Sequence, residues 1–288
     1  MISPTDTARI LVEALPYIRR FAGTAVVVKL GGAAIDQALD RALAQDVLLL
    51  RSVGVRCVLV HGGGPQVDGV LRRMGKTPEF RDGLRVTDAE TLEIVRMVLV
   101  GKVNRDLVAT INKEALDDPV AVGVSGEDGG LLITTPRDPA LGFVGDVAHV
   151  RAHLLHKLLD DGLTPIVSTV GADAAGQPFN INADEAAMAI AVAMGAEKII
   201  YLTAAPGLLE DANDPASLIH RIGSGPLRDR IAHASVSAGM IPKLRACADA
   251  VEGGVGLAHI IDGRVPHALL IELLTDEGIG TMISKDPS

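Results

Sequence analysis

The sequence predicts an α/β protein in which a mainly parallel, open sheet lies between two layers of helices. Short unbroken apolar runs alternate along the chain with amphipathic stretches of helical length. Glycine is frequent, with 31 residues, and often follows these segments. Aromatic residues make up only 2% of the chain, so Val, Leu, Ile and Ala must fill the core. We therefore expect a three-layer α/β/α sandwich.

The first apolar run is Ala25–Leu30, in which small or β-branched residues precede Lys29. Such a run bounded by glycine is typical of a buried strand in a parallel sheet. Lys29 stands at the carboxyl end of this strand, where open α/β sheets bind their ligands. Gly31 and Gly32 follow and leave the backbone amides open to an anion. A lysine beside such amides predicts a phosphate site.

A second unit of the same kind runs through residues 57–64, where an apolar strand ends at His61 and three glycines. Its recurrence strengthens the prediction that anions bind at this edge of the sheet. A histidine followed by three glycines also occurs in the oxyanion loop of lipases, but the G-x-S-x-G motif of those hydrolases is absent. We assign His61 no chemical role, because a lone histidine at a strand end is more often structural.

The other elements of the N-terminal half follow from apolar periodicity and from glycine and proline positions. Residues 5–21 have the pattern of an amphipathic helix with Pro16 inside it. Its apolar face packs either on its own subunit or against another one. Further on we expect helices over 39–53 and 66–74, a hairpin over 79–86 that carries Arg85, a long helix over 88–115 with a break at Gly101, and strands near 120–124, 130–135 and 143–147.

A cluster of turn residues at 171–178 is interpreted as a hinge between two lobes. The chain then divides into an N-terminal helix (1–22), an N-terminal lobe (23–178) and a C-terminal lobe (179–288). Before the hinge we expect a helix over 151–161 and a strand over 165–170. The C-terminal lobe should contain an alanine-rich helix up to Met194, a strand over 198–203, a loop-rich segment over 205–230, a helix over 241–251, a strand over 258–261 and a last helix over 267–275.

Composition and motifs exclude several classes of function. The net charge of −9 argues against nucleic acid or an anionic membrane as the main partner. No apolar run approaches the ~18 residues of a membrane span. The two cysteines lack metal-site spacing, and without a signal-peptide pattern they fit a reducing cytoplasm. Neither a Walker A loop nor a G-x-G-x-x-G motif after a strand is present.

Two motifs of the C-terminal half carry further polar groups. Asn180, Asn182 and Asp184 stand at the start of the alanine-rich helix, where one of them suffices as an N-cap. A carboxylate there can hold lysines in position. Lys243 falls in the first turn of a helix that begins near Pro242, where it opposes the helix dipole. This unfavourable placement indicates an anion nearby.

Together these motifs resemble the amino acid kinase family, and within it the acetylglutamate kinases of the arginine-inhibited type. The matching stretches span nearly the whole chain and are VVVKLGG, VLVHGGGPQVD, DGLRVTD, NINADEAA, LTAAPGLL and GMIPKL. The resemblance implies an eight-stranded sandwich that binds N-acetyl-L-glutamate in its N-terminal lobe and ATP in its C-terminal lobe. The implied reaction is ATP-dependent phosphorylation of the γ-carboxylate to N-acetyl-L-glutamyl 5-phosphate, in arginine biosynthesis.

The resemblance also implies a role for each motif residue. Lys29 and Lys243 would stabilise the transition state, and Asp184 would organise both lysines. The acetylated substrate would be bound by Gly63, Gly64, Arg85 and Asn180. The phosphates and the rest of ATP would be contacted by Gly31, Gly32, Ala204, Ala205, Pro206, Gly207, Leu208, Leu209, Ser235, Val236 and Ser237.

The chemistry of these residue types agrees with that expectation. Phosphoryl transfer requires that charge be neutralised and that the reactants lie in line, and it needs little covalent help. A guanidinium such as that of Arg85 can bind a carboxylate through two hydrogen bonds. Mg²⁺ would bridge the ATP phosphates with few protein ligands, so we predict no protein metal site. The γ-carboxylate is ionised at pH 7 and needs no general base.

Two more stretches resemble the arginine-inhibited branch: the N-terminal helix and the region from His259 to Thr281. By resemblance, arginine would be surrounded by Tyr17, Lys198, His267, Glu277 and Gly280. The N-terminal helices would link dimers into a hexameric ring, a trimer of dimers. The resemblance leaves open whether a nitrogen-signalling protein binds this ring.

The chain departs from the family pattern at Ala204, where an aspartate is usual in the nucleotide loop, so we expect a raised KM for ATP. Ala238 replaces a usual glycine and Thr24 a usual lysine, and neither touches the proposed chemistry. Two alternatives stay open. One is another member of the family, acting on glutamate, aspartate or carbamate, which Arg85 and its context disfavour. The other is a catalytically weak arginine-sensing protein.

Overall fold

The computed structural model describes residues 3–31, 41–116, 118–211, 214, 216–233, 236–237, 239–276 and 278–285. Outside these ranges lie Gly32, Ser235, Ala238, Glu277 and the first residues of the predicted helix 39–53. The described strands are β1 (Ala25–Leu30), β2 (Arg56–His61), β3 (Phe80–Arg81), β4 (Leu84–Arg85), β5 (Ala121–Ser125), β6 (Leu132–Pro136), β7 (Val144–Val150), β8 (Thr164–Ser168), β9 (Val170–Ala172), β10 (Pro178–Ile181), β11 (Lys198–Thr203), β12 (Arg221–Gly223), β13 (Leu257–Asp262) and β14 (Thr281–Ser284).

The described α-helices follow the predicted alternation with these strands. They are α1 (Pro4–Phe21), α2 (Arg41–Ser52), α3 (Gly64–Arg73), α4 (Ala89–Arg96), α5 (Asn104–Glu114), α6 (His153–Asp160), α7 (Ala183–Ala193), α8 (Ser224–Ala232), α9 (Ile241–Glu252) and α10 (Ala268–Leu274). None of these helices combines the length and the apolar character that crossing a membrane requires.

Eight of the described strands form the central sheet, in the order β12–β14–β13–β11–β1–β2–β8–β5. Neighbouring strands from β13 to β5 are parallel, whereas β14 runs antiparallel to β13 and parallel to β12. Lys29 pairs with Val60 of β2 and Tyr201 of β11 and therefore lies in the middle of the sheet. The predicted mainly parallel sheet is confirmed.

Helices cover both faces of this sheet because the side chains of a strand alternate between its two faces. Val26 and Val28 belong to a buried cluster with residues of α2, α3, α4, α5 and α10. Val27 belongs to a second cluster with residues of α6, α7, α8 and α9. All three valines are fully shielded from solvent. The three-layer sandwich is thus also confirmed.

The strands β10, β7, β6 and β9 form a second, smaller sheet that closes on itself. Residues 171–178, which we expected to be a hinge, belong to its β9–β10 hairpin, in which 173–177 form the turn. Asp173 accepts hydrogen bonds from Ala175 N and Gln177 N, both 2.9 Å, and Gly176 has a φ of +85° that suits glycine. These turn residues therefore close a hairpin within one sheet, and the predicted lobe boundary at 178 cuts through β10.

The long helical region over 88–115 has no break at Gly101. Instead, α4 continues through a π-helical stretch, Met97–Val103, directly into α5. Gly101 is exposed within this stretch, where glycine weakens a helix without ending it. π-Helical stretches are frequent near functional sites, and Leu99 of this one lines a cavity described below.

The segment 205–230 contains more regular structure than we expected. It includes β12 and most of α8. The strand β14, which we did not predict, lies between β12 and β13. β12 has three residues and β14 has four. Runs this short show almost no hydrophobic periodicity, so the sequence does not mark them as strands.

Part of the apolar face of α1 is exposed in the described chain. The helix begins after Ser3, whose hydroxyl accepts a hydrogen bond from Asp6 N, and Phe21 at its other end is buried. Between them, Ile10, Leu11 and Leu15 are 48%, 64% and 39% exposed.

Candidate active site

The carboxyl ends of β1 and β2 bring Gly31 and the glycines that follow His61 to the same edge of the sheet. Leu30 pairs with His61, and Gly31 N donates a hydrogen bond to Leu202 O over 3.0 Å. A Cβ on Gly31 would lie 2.8 Å from that carbonyl oxygen, so only glycine fits there. The structure therefore places Lys29 and Gly31 together at the ligand-binding edge of the sheet.

Three charged side chains meet at this edge. The Nζ atom of Lys29 lies 2.6 Å from Oδ1 of Asp184, and Nζ of Lys243 lies 3.3 Å from Oδ2. The side chains of Lys29 and Asp184 are each 7% exposed, whereas that of Lys243 is 24% exposed. Two lysines that are distant in sequence thus converge on one buried carboxylate.

Local capping at the start of α7 leaves this carboxylate available. Asn182 is the N-cap, and its Oδ1 accepts hydrogen bonds from Asp184 N and Glu185 N over 2.9 and 3.2 Å. The Tyr201 hydroxyl donates to the backbone oxygen of Asp184 over 3.2 Å. Because Asn182 alone caps the helix, both oxygens of the Asp184 carboxylate can face lysines, as the motif suggested.

Burial and charge together set the ionisation of this triad. Burial acts to raise the pKa of Asp184, but the two lysines outweigh it and hold the pKa below its usual value. Burial lowers the pKa of Lys29, an effect that Asp184 opposes and Lys243 adds to. One carboxylate between two lysines leaves an excess of positive charge. In a poorly solvated site such charge stabilises an adjacent anion more strongly than water would.

A cavity of about 170 Å³, which we call the Arg85 cavity, opens beside the triad. Residues 62–64 form one wall, and Ala183, the neighbour of Asp184, forms another. The residues predicted to bind the acetylated substrate all line it, namely Gly63, Gly64, Arg85 and Asn180. Leu99 and Val144 supply apolar surface. A cavity with one guanidinium and apolar walls suits a small organic carboxylate.

Contacts on three sides hold the guanidinium of Arg85. Its Nη1 lies 2.5 Å from Oδ1 of Asp68, and its Nη2 donates to Gly64 O over 3.3 Å. Its Cζ lies 4.8 Å from the ring centre of Phe80. Sequence reasoning missed Asp68 and Phe80. The one signal for Asp68 was its place at the end of the VLVHGGGPQVD stretch.

A second cavity of about 190 Å³, the Leu208 cavity, joins two segments that the resemblance assigned to ATP. Its lining is Ala205, Gly207, Leu208, Leu209, Val236, Ser237 and Met240. Ala204 and Pro206 belong to the same loop but do not line the cavity. Met240 lies three residues before Lys243, so this cavity is connected to the triad through the start of α9.

A third cavity of about 160 Å³, the Lys198 cavity, contains part of the predicted arginine site. Tyr17, Lys198 and Gly280 line it. His267 does not, because its Nδ1 lies 2.6 Å from Oδ1 of Asp46 and its side chain is 46% exposed. The structure therefore brings together three of the predicted residues and separates His267 from them.

Two residues to which we gave no role, His259 and Glu272, line the Lys198 cavity instead. Nδ1 of His259 lies 2.5 Å from Oε1 of Glu272, whose Oε2 accepts a hydrogen bond from Ile279 N over 2.9 Å. Their side chains are 3% and 5% exposed. Within the described ranges, Nε2 of His259 has no hydrogen-bond partner. The pair thus presents a fixed acidic side chain and an unused imidazole nitrogen to the cavity.

Comparison with known proteins identifies the family. A model of the amino acid kinase family matches residues 24–262. The acetylglutamate kinase of Acaryochloris marina is 51% identical over 286 residues, which cover 99% of this chain and all of that protein. The acetylglutamate kinase of Symbiobacterium thermophilum is 49% identical and covers 97% of this chain and 98% of its own.

Solved structures agree with this assignment. An N-acetylglutamate synthase from Neisseria gonorrhoeae, complexed with coenzyme A and N-acetyl-glutamate, superposes with a TM-score of 0.85 at 28% identity. The match covers 98% of this chain but only 64% of the synthase. Carbamate kinase from Giardia lamblia bound to AMP-PNP has a TM-score of 0.70 at 17% identity, covers 92% of this chain and 99% of its own, and shows the fold alone. Since the family model and the relatives span nearly the whole sequence, the chain belongs to the amino acid kinase family.

Proposed function

We propose that the protein transfers the γ-phosphoryl group of ATP to the side-chain carboxylate of N-acetyl-L-glutamate and so makes N-acetyl-L-glutamyl 5-phosphate for arginine biosynthesis. The observation that carries this proposal is the meeting of Lys29 and Lys243 on Asp184, next to the Arg85 cavity. Relatives that are about half identical and bear the name acetylglutamate kinase support the same reaction.

The Arg85 cavity binds the acceptor in this proposal. Arg85 pairs with a carboxylate of acetylglutamate, because a guanidinium forms two parallel hydrogen bonds with such a group. Asn180, whose Nδ2 donates to Thr87 Oγ1 over 3.2 Å, offers an amide to the polar part of the substrate. Leu99 and Val144 provide apolar surface for the acetyl methyl group. The acceptor carboxylate then faces residues 62–64 and the triad.

The two lysines stabilise the transfer itself. A carboxylate oxygen forms a bond to the γ-phosphorus while the bond from that phosphorus to the β,γ-bridging oxygen breaks, and ADP leaves. Negative charge spreads over the transferring group, and the Nζ atoms of Lys29 and Lys243, held by Asp184, neutralise it. The acceptor is already ionised at neutral pH, so no residue removes a proton.

Magnesium accompanies ATP in this proposal without a dedicated protein site. Among the described residues, no group of three or more His, Cys, Asp or Glu side chains can hold a metal ion. Asp184, the carboxylate nearest to the proposed transfer, has a lysine at each oxygen. In this proposal the ATP phosphates would carry the Mg²⁺ ion, and its charge would offset theirs.

An assay of ADP release tests the reaction directly. Purified protein with MgATP should release ADP when N-acetyl-L-glutamate is present, and much less with glutamate, aspartate or carbamate. If glutamate, aspartate or carbamate is the better acceptor, the protein is instead another member of the family. Arginine binding in calorimetry without any turnover would support the arginine-sensing alternative, which the departure at Ala204 motivates.

Changing Asp68 to asparagine should raise the KM for acetylglutamate by about tenfold or more, since a weaker bond to a neutral amide replaces the ion pair that holds Arg85. The KM for ATP should stay the same and kcat should change little, because Asp68 contacts Arg85 and does not line the Leu208 cavity. Steady-state kinetics with each substrate varied in turn measures both values.

The matched control for this change is Asp160→Asn. Asp160 pairs with Arg56 over 2.5 Å at an exposed position outside the three cavities. This substitution should leave the KM values for acetylglutamate and for ATP unchanged. An unchanged KM for acetylglutamate in the Asp68 variant, or an equal rise in the KM for ATP, would contradict the role given to Asp68.

We also infer that the Lys198 cavity binds arginine as a feedback inhibitor. Lys198 suits the α-carboxylate, and Glu272 and Asp276 suit the cationic groups of arginine. The Tyr17 hydroxyl donates to the carboxylate of Asp276, so α1 is joined to the wall of this cavity. A second structure of the gonococcal synthase, with a TM-score of 0.84, contains L-arginine.

Arginine inhibition should weaken as the pH rises through about 8. Burial lowers the pKa of Lys198 to about 8, so its charge is present below that pH and lost above it. From pH 7 to pH 9 the charged fraction falls about tenfold, and the half-inhibitory arginine concentration should rise accordingly. The α-amino group of arginine also titrates in this range, and Lys198→Arg, which keeps its charge, controls for it. Equal pH dependence in the two proteins would contradict the assignment.

The exposed apolar side chains of α1 support the proposal that this helix joins subunits into a hexamer, a trimer of dimers. Ile10, Leu11 and Leu15 would be covered by the helix of a second copy. Sedimentation velocity on the full chain measures the assembly.

A cytoplasmic location suits the free buried thiols of Cys57 and Cys247. Whether a nitrogen-signalling protein binds this assembly stays open.

A further inference from the structure

His61 is fully buried at the end of β2, beside the strand that carries Lys29. Both of its ring nitrogens have partners. Nδ1 lies 2.8 Å from Gly62 O, and Nε2 lies 3.1 Å from Nδ2 of Asn104. Burial lowers the pKa of His61 to about 4, so the ring is neutral at physiological pH. Because the ring is neutral and both of its nitrogens are hydrogen-bonded, it can act on a reactant only through the groups that it holds.

These contacts determine where the single ring proton sits. Gly62 O can only accept a hydrogen bond, so Nδ1 carries the proton and donates it to that carbonyl. Nε2 then accepts from Asn104 Nδ2, which also donates to Ile166 O over 2.8 Å. All donors and acceptors of this buried cluster are consistent with that one tautomer.

The Nδ1 contact determines the direction of the next amide group. The described chain has no cis peptide bond. In a planar trans peptide the C=O and the following N–H point in opposite directions. Since the Gly62 carbonyl is turned toward the buried imidazole, the Gly63 N–H points away from it. Gly62 and Gly63 both line the Arg85 cavity.

The Gly63 N–H is available on that side. Within the described residues it donates to no protein acceptor, whereas the neighbouring Gly63 O accepts a hydrogen bond from Val67 N. A Cβ on Gly63 would lie 2.7 Å from Leu99 Cδ2, and a Cβ on Gly62 would lie 3.2 Å from the Cβ of Ala183. A larger residue would crowd these neighbours, most closely at Gly63, and glycine peptides rotate easily. A side-chain hydrogen bond is needed to keep the amide pointing one way.

We propose that His61 is a positioning residue: through its Nδ1–H it holds the Gly62–Gly63 peptide so that the Gly63 N–H donates to an anionic oxygen of the reacting groups. This inference rests on the proposed phosphoryl transfer. The oxygen belongs to the acceptor carboxylate or to the transferring phosphoryl group, both of which carry negative charge there. Losing one such fixed donor lowers the rate of a reaction by about 10²–10³-fold.

Two variants of His61 separate this role from simple core packing. In His61→Asn the side-chain amide can occupy the place of Nδ1 and donate to Gly62 O, but it loses the contact with Asn104. In His61→Gln the amide reaches the place of Nε2 and keeps the contact with Asn104, but it loses the one with Gly62. Matched changes at His149, which is exposed on β7, control for the substitutions themselves.

The measurement is kcat/KM for acetylglutamate in each variant, together with the KM for ATP and the melting temperature. The Asn variant should stay within about tenfold of the wild type, while the Gln variant should lose about 10²–10³-fold at an unchanged KM for ATP. The inference about His61 is overturned if the Gln variant is as active as the Asn variant, or if both lose activity in step with their melting temperatures. Neither result affects the proposed function. A wild type that releases no ADP with acetylglutamate overturns the proposed function and this inference with it.

Discussion

Replacing Lys29 by methionine is expected to lower kcat for acetylglutamate-dependent ADP release by about 10²–10³-fold. The Nζ atom is the buried member of the pair of ammonium groups that neutralises the transferring phosphoryl group. Lys29→Arg should also lose mainly kcat, because the planar guanidinium cannot replace a compact ammonium in a site where 7% of the side chain is exposed. The KM for acetylglutamate should change less than kcat, since Lys29 does not line the Arg85 cavity.

The control for this loss is Lys102→Met. Lys102 forms an exposed pair with Asp106 over 2.7 Å, and such surface pairs contribute little. Its kinetics should match the wild type. A Lys29→Met protein that retains the wild-type kcat would show that this ammonium takes no part in the transfer.

Replacing Asp184 by asparagine is expected to affect both rate and stability. The amide is close in shape to the carboxylate, and the N-cap of α7 depends on Asn182, so the helix start should persist. The lysines lose their shared partner, and kcat should fall by about 10²-fold or more because they are no longer fixed for the transfer. Leaving a buried Lys29 unpaired should cost about 3 kcal/mol of unfolding free energy, while the partly exposed Lys243 adds little.

The same variant should show a shifted pH profile. Burial lowers the pKa of Lys29, and Asp184 opposes that effect. Without the carboxylate the pKa of Lys29 falls further, so Lys29 loses its proton at a lower pH than in the wild type. The alkaline limb of kcat should therefore move to lower pH than in the wild type. Asp106→Asn, which breaks only the surface pair with Lys102, should leave the profile and the melting temperature in place.

The sequence predicted the fold well wherever the local pattern was long. β1, β2 and β11 have six residues each, and each contains an unbroken run of four apolar residues. The helices between them have clear amphipathic faces. Short strands such as β12 and β14 were missed, because pairing with a distant edge decides their structure. Gly101 was wrongly taken as a break, since a π-helical stretch lets the helix continue past it.

The candidate site was predictable where a motif carried the chemistry. Lys29, Asp184 and Lys243 stand in short motifs, and the structure brings them together. The roles of positioning residues could not be derived from the sequence, because they depend on partners in other elements of the chain. Asp68 acts on Arg85 across 17 residues, and His259 meets Glu272 across 13. His267 was assigned to the arginine site by resemblance, but its position at the start of α10 places it against Asp46.

A crystal structure with ADP, Mg²⁺, N-acetyl-L-glutamate and a phosphoryl mimic such as aluminium tetrafluoride tests most directly whether two ammonium groups act on one phosphoryl group. We expect the Nζ atoms of Lys29 and Lys243 to lie within about 3 Å of the mimic, one on each side of it. A complex in which either nitrogen points into a different cavity while the reactants are bound would contradict this account.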